Sequence, residues 1–132
     1  MPQRGSPGRA RVLLLEGAAD PVSRSRDFAR RALASWKWLP EAAEDVLLLV
    51  SELVSNASLH GGGAGTLLMH WTPERLRIEV TDGNPAPPVR ARAADPGRPG
   101  GHGLLIVDRL SRSWGSHPGN GGKCVWLEVS PG

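Results

Sequence analysis

Cysteine is all but missing from this chain: Cys124 stands alone. A lone thiol can neither close an internal disulfide nor build a CxxC or cysteine-rich zinc cluster. This excludes a disulfide-stapled scaffold and predicts a reduced, intracellular protein. Long apolar runs are missing too. The longest, residues 46–50 and 104–107, fall far short of the ~20 residues that span a bilayer. Residues 1–10 carry no hydrophobic segment of the secretory kind. The expectation is a soluble, cytoplasmic chain with no membrane partner. Charge of one sign is not in great excess either: 16 Lys+Arg face 13 Asp+Glu, for a net +3. Lysine occurs only as Lys37 and Lys123. Arg24, Arg26, Arg30 and Arg31 gather in one stretch, but Asp27 sits among them and Phe28 is the single aromatic there. They read as a solvated helix face rather than a nucleic-acid surface, with docking to an acidic partner as the functional alternative.

What is present is one ordinary domain's worth of chain, 132 residues, enough to bury about two-thirds of the unfolded surface. Residues 1–10 are Pro, Gly and Arg with nothing to bury and predict a disordered tail, leaving one domain over 11–130. Residues 11–16 suit a strand. Asp20 and Pro21 then supply a helix cap and a proline at the first helical position. Val22, Ser25, Ala29, Ala32, Leu33 and Trp36 follow at helical spacing and predict a first helix lying on a sheet. Pro40 opens a second helix with an acidic first turn. Val46, Leu49, Val50, Leu53 and Ala57 form its stripe, and Gly61-Gly62-Gly63 should stop it.

Residues 66–71 and 75–81 predict two strands around a Thr72-Pro73-Glu74 turn, the second alternating Leu76, Ile78 and Val80 with Arg77 and Glu79. Residues 82–102, rich in proline and glycine, predict a long irregular loop of the functional or disordered kind. A short helix over 103–110 and strands over 113–116 and 124–129 complete the chain. Without a regular βαβ alternation, the expected fold is an α+β two-layer sandwich, a mixed, mostly antiparallel sheet with helices on one face.

Three segments carry chemistry. Glu52 and Asn56, four residues apart on the second helix, stand about 40° apart around its axis and border the core stripe. There a carboxylate can take a proton and an amide oxygen can ligate Mg²⁺, or the pair is a solvated helix edge. Asp82 ends a strand, where it either starts a turn or accepts a hydrogen bond from an exocyclic amine. Gly100-Gly101-His102-Gly103 precedes an apolar helical stretch, a place where backbone N–H groups meet anions, although ordinary loop glycines look the same. No P-loop or Rossmann spacing is present.

Taken in this order over roughly residues 11–130, the segments resemble the GHKL (Bergerat-fold) ATPases, and among them the small bacterial anti-sigma factor serine/threonine kinases. Residues 52–57 (ELVSNA) resemble that family's N box, residues 80–85 (VTDGNP) its adenine-binding box, and residues 101–104 (GHGL) its glycine-rich lid box. The resemblance implies ATP and Mg²⁺ as ligands. It makes Glu52 the general base, Asn56 the Mg²⁺ ligand and Asp82 the adenine anchor, with Asn84 beside it. Gly101, His102, Gly103 and Leu104 become phosphate contacts of a lid over residues 83–102. His60 would approach the phosphates or simply end its helix. Two departures stand out. Asn84 and Ala86 replace the glycines of a DxGxG box, and Cys124 takes the apparent place of an adenine-proximal threonine, keeping size but losing the hydroxyl. Lys123 reads as a solvated strand lysine or as a phosphate contact.

The implied function is an anti-sigma factor that binds a sigma factor and phosphorylates a serine or threonine of an anti-sigma factor antagonist, as a homodimer. A noncatalytic partner-switching module that sequesters a transcription regulator is the alternative. A hydrolase in which Glu52 activates water is a third reading. No phosphoacceptor-histidine helix precedes residue 11, against a sensor-kinase module.

Overall fold

In a computed structural model of the chain, residues 9–84, 86, 103–119 and 121–131 are described. The elements run β1 (Arg9–Leu14), α1 (Pro21–Ser35), α2 (Pro40–His60), β2 (Ala64–Trp71), β3 (Leu76–Asp82), α3 (Gly103–Leu110), β4 (Ser113–Gly119) and β5 (Gly122–Val129). The first strand starts at Arg9, so two residues of the expected tail belong to the sheet.

Both long helices begin where the sequence places them. The Asp20 side chain accepts a hydrogen bond from the backbone N–H of Ser23 at 3.2 Å, satisfying one of the orphan donors of the first turn. Its helix, α1, buries Ser25, Ala29, Ala32 and Leu33. It ends with the N–H groups of Lys37 and Trp38 bonded back to Ala34 and Leu33, and Lys37 sits at φ 62°, a left-handed terminator more often supplied by glycine. Pro40 starts α2, whose buried residues run from Val46 to Ala57. α2 packs against α1 on one side, α3 on another and the sheet beneath, so its apolar surface is wider than one stripe.

The sheet has five strands in the order β1-β2-β3-β5-β4. Every described pairing is antiparallel, so the expected α+β arrangement with a mostly antiparallel sheet is present, with no parallel pair among the described residues. After β3 the chain returns through α3 to the far edge, forms β4, and hairpins back so that β5 slots beside β3. The tight β4–β5 connection makes each of the new neighbours antiparallel.

Side-chain alternation divides the sheet into two faces. On the helix side, Leu76, Ile78 and Val80 of β3 lie opposite Val129, Leu127 and Val125 of β5, all nearly or fully buried with Leu67 and Met69 of β2. On the other face, the Arg77 guanidinium donates to Glu79 at 2.6 Å and to Glu128 at 2.9 Å and lies 4.4 Å from the Trp126 ring centroid. These groups are partly solvated, so each ion pair contributes little on its own. The same ladder that builds the core ends, at its last rung, in Asp82 opposite Lys123.

Candidate functional site

The end of α2 and the end of β3 are tied together backbone to backbone. The Gly83 N–H donates to the Gly61 carbonyl at 2.9 Å. The Asn84 side-chain amide donates to the His60 carbonyl at 3.2 Å, and the Asn84 Oδ1 accepts from the Ala86 N–H at 3.0 Å. The Asn84 amide thus fastens the loop onto the helix. His60 is the exposed last residue of α2.

Asp82 is held at the centre of this junction. Its Oδ1 accepts from the Asn84 N–H at 2.9 Å, an Asx turn, so the turn reading is correct as far as one oxygen goes. The other oxygen points at Lys123, whose Nζ lies 2.8 Å away. The ammonium also donates to the Asn84 carbonyl at 3.1 Å. Side-chain exposure is 0% for Asp82 and 3% for Lys123. Lys123 is therefore no solvated strand lysine, and sequence reasoning underrated it. The signal was its parity: Lys123, Val125, Leu127 and Val129 share one face of β5. The ammonium at 2.8 Å takes up one lone pair of Oδ2, and the second lone pair keeps acceptor capacity. Gly122 permits the approach, since any Cβ there would collide with the Asp82 carbonyl.

Cys124 falls one residue out of phase. It pairs with Thr81, and its thiol donates to Glu79 Oε1 at 3.5 Å on the sheet's other face. Burial, reinforced by the nearby Glu79 charge, pushes the thiol pKa up to about 12. The residue directly opposite Asp82 is Lys123, with Cys124 one rung on opposite Thr81.

A cleft of about 850 Å³ opens at this end of the sheet, lined from both faces by Gly62, Gly83, Asp82, Lys123, Thr81 and Cys124 among others. Glu52 and Asn56 are not among its described lining residues. They lie earlier on α2, Asn56 buried and Glu52 half-buried. With about 1.5 Å of rise per residue, Asn56 is about 7 Å and Glu52 about 13 Å along the axis from Gly61, where Asp82 docks. Gly103 and Leu104 open α3, which packs on α2. Gly101 and His102 lie outside the described residues. Asp82 docks at the C-terminal end of the helix that bears Glu52 and Asn56, and α3 packs on that same helix. Among the described residues no cluster of His, Cys, Asp and Glu suits a metal ion, and the expected Mg²⁺ ligand is the amide oxygen of Asn56 alone.

These residues fit a purine nucleotide at its base end. A buried carboxylate oxygen retains a lone pair, and glycines at 61, 62, 83 and 122 keep Cβ atoms out of the junction. An oxygen donor for a hard cation waits farther up the helix.

A search of curated proteins gave no match to this chain. A family model did: the histidine kinase-like ATPase domain matches residues 15–129, from the residue after β1 to the last residue of β5. With a match over most of its length, an antiparallel sheet under α2, and Asp82 set at the strand end beside it, the chain belongs to the family of histidine kinase-like ATPase domains of the GHKL type.

Proposed function

We propose that this domain binds Mg·ATP at the junction of α2 and β3 and passes the γ-phosphoryl group to a serine or threonine of a partner protein, as an anti-sigma factor kinase does. The observation that carries the reading is the Asp82 carboxylate, buried against the end of the helix that also bears Asn56 and Glu52. The purine end is marked by Asp82 and the reacting end by Glu52, with about 13 Å of the C-terminal part of α2 between them.

Phosphoryl transfer asks the protein mainly for positioning and charge neutralisation. Asp82 accepts a hydrogen bond from the base. The Asn56 amide oxygen would hold Mg²⁺, whose charge would neutralise the phosphate oxygens. Glu52 accepts the proton of the incoming hydroxyl. The acceptor protein in this reading is an anti-sigma factor antagonist, the sequestered partner is a sigma factor, and the domain works as a homodimer in the cytoplasm. Among the described residues no helix is long and apolar enough to cross a membrane.

Calorimetry with Mg·ATP, followed by labelled transfer to a purified antagonist protein, tests the proposal. Glu52→Ala should keep nucleotide affinity and lose about 10²–10⁴-fold in transfer, the usual contribution of a general base. Asn56→Ala should weaken Mg·ATP binding itself. Transfer by Glu52→Ala at the wild-type rate overturns the assignment.

A noncatalytic partner-switching module is the second reading. The Lys123–Asp82 contact favours it, because the base anchor already has a charged neighbour. Tight binding of a sigma factor without transfer to any antagonist would decide for that module.

A further inference from the structure

We infer that Lys123 is a base-reading residue, donating a hydrogen bond to a purine ring nitrogen beside the amine that Asp82 accepts; the inference rests on the nucleotide reading above. Three observations converge on it.

The first is the place of the pair in the ladder. Val80 faces Val125, Ile78 faces Leu127 and Leu76 faces Val129, and the next rung in the same file is Asp82 facing Lys123. A buried ion pair is a poor way to add stability, since apolar side chains of similar volume do as well or better. This ladder fills its other helix-side rungs with apolar pairs. Charge at this rung therefore calls for a reason other than folding, and both of its members line the cleft.

Hydrogen-bond capacity is the second. An ammonium carries three donors and a carboxylate oxygen two lone pairs. Lys123 gives one N–H to the Asn84 carbonyl and sets another against Asp82 Oδ2 at 2.8 Å. That leaves one N–H on the ammonium and one lone pair on Oδ2 for a ligand.

The third is complementarity. Adenine presents, side by side on one edge, an amine donor and a ring-nitrogen acceptor, and flipped or free bases are read through that edge. Asp82 matches the amine, and Lys123 matches the neighbouring N1. A carboxylate alone would read only half of this pattern, so Lys123 makes the site sensitive to an atom that Asp82 does not reach.

The experiment is calorimetric titration of the full chain with Mg·ATP, with 1-deaza-ATP, in which N1 is replaced by C–H, and with GTP. Wild type should bind ATP at least about tenfold more tightly than 1-deaza-ATP, the loss expected for one charge-assisted hydrogen bond. Lys123→Met should bring the two within about threefold, whatever it does to overall affinity. Lys123→Arg, which keeps a donor, should retain the preference. A purely structural lysine would change both affinities together and leave their ratio alone. Should Lys123→Met fail to fold, the wild-type ratio and the Lys123→Arg ratio still decide. Equal binding of ATP and 1-deaza-ATP by wild type overturns the inference, as does undiminished discrimination in Lys123→Met. GTP binding more tightly than ATP overturns it too, because the ammonium would then meet a carbonyl. No binding of any nucleotide overturns the nucleotide reading and the inference with it, whereas binding without discrimination overturns the inference alone.

Discussion

The Cβ that Gly61 lacks would fall 2.6 Å from Cγ of Asp82 and 2.9 Å from the Ala57 carbonyl oxygen. The glycine after α2 is thus a space reserved for the strand-end carboxylate, in addition to a helix stop. Gly61→Ala should push Asp82 off the helix end, costing about 1–3 kcal/mol as overpacking does and lowering nucleotide affinity more than tenfold. Denaturant unfolding and nucleotide titration of the same variant check the two effects. Wild-type values in both would show that the carboxylate can be displaced freely.

Asp82 and Lys123 should be strongly coupled in stability. Removing one partner leaves the other charge buried, at a cost of about 3–5 kcal/mol. Asp82→Asn and Lys123→Met should each destabilise on that scale, and the double variant should lose clearly less than the sum. Urea melts of the four proteins give the cycle, and simple additivity would show that the charges do not interact.

Lys37 terminates α1 at φ 62°, a conformation costing a residue with Cβ about 1–2 kcal/mol. Lys37→Gly relieves that cost and gives back part of it as added freedom of the unfolded chain. The expected net is a stabilisation of about 0.5–1 kcal/mol, read as a higher denaturation midpoint at unchanged m-value.

Cys124 titrates near 9 when unfolded, against about 12 in the fold. Between those values the unfolded chain binds fewer protons than the native one, so stability falls as pH rises. The contribution is intact below about pH 9 and lost progressively toward 12. Thermal melts across this range should decline less steeply for Cys124→Ala than for wild type. At pH 8 a thiol reagent should label the native protein far more slowly than the denatured chain.

Much of the architecture was legible because local chemistry and burial agree. Asp20, Pro21 and Pro40 mark helix starts, and the α2 stripe marks one packed side of a helix that the structure buries more widely. The alternation of β3 placed Asp82 at a strand end. The sheet's strand order was not legible, because nothing local tells β5 to pair with β3 in preference to β4 doing so. Lys123 was legible but misread. Its positive charge argued for solvent, while the two-residue period through Val125, Leu127 and Val129 argued for the core, and the period was right. Cys124, one residue on, turns to the opposite face of the sheet, as the same two-residue period requires. Asn84 could not have been read from sequence as a fastener of loop to helix, since its partner, the His60 carbonyl, is 24 positions away.

That distance has a kinetic counterpart. Lys123 reaches Asn84 across 39 positions of chain, so the contact must wait until a long loop has closed and the last hairpin has docked. A chain folded only through α1, α2, β2 and β3 would already own its helix pair and half its sheet, yet the Asp82 carboxylate would still lack its cationic neighbour. Competence at this site is therefore among the final things folding delivers, and a ligand that recognises the finished junction would act chiefly as a brake on unfolding.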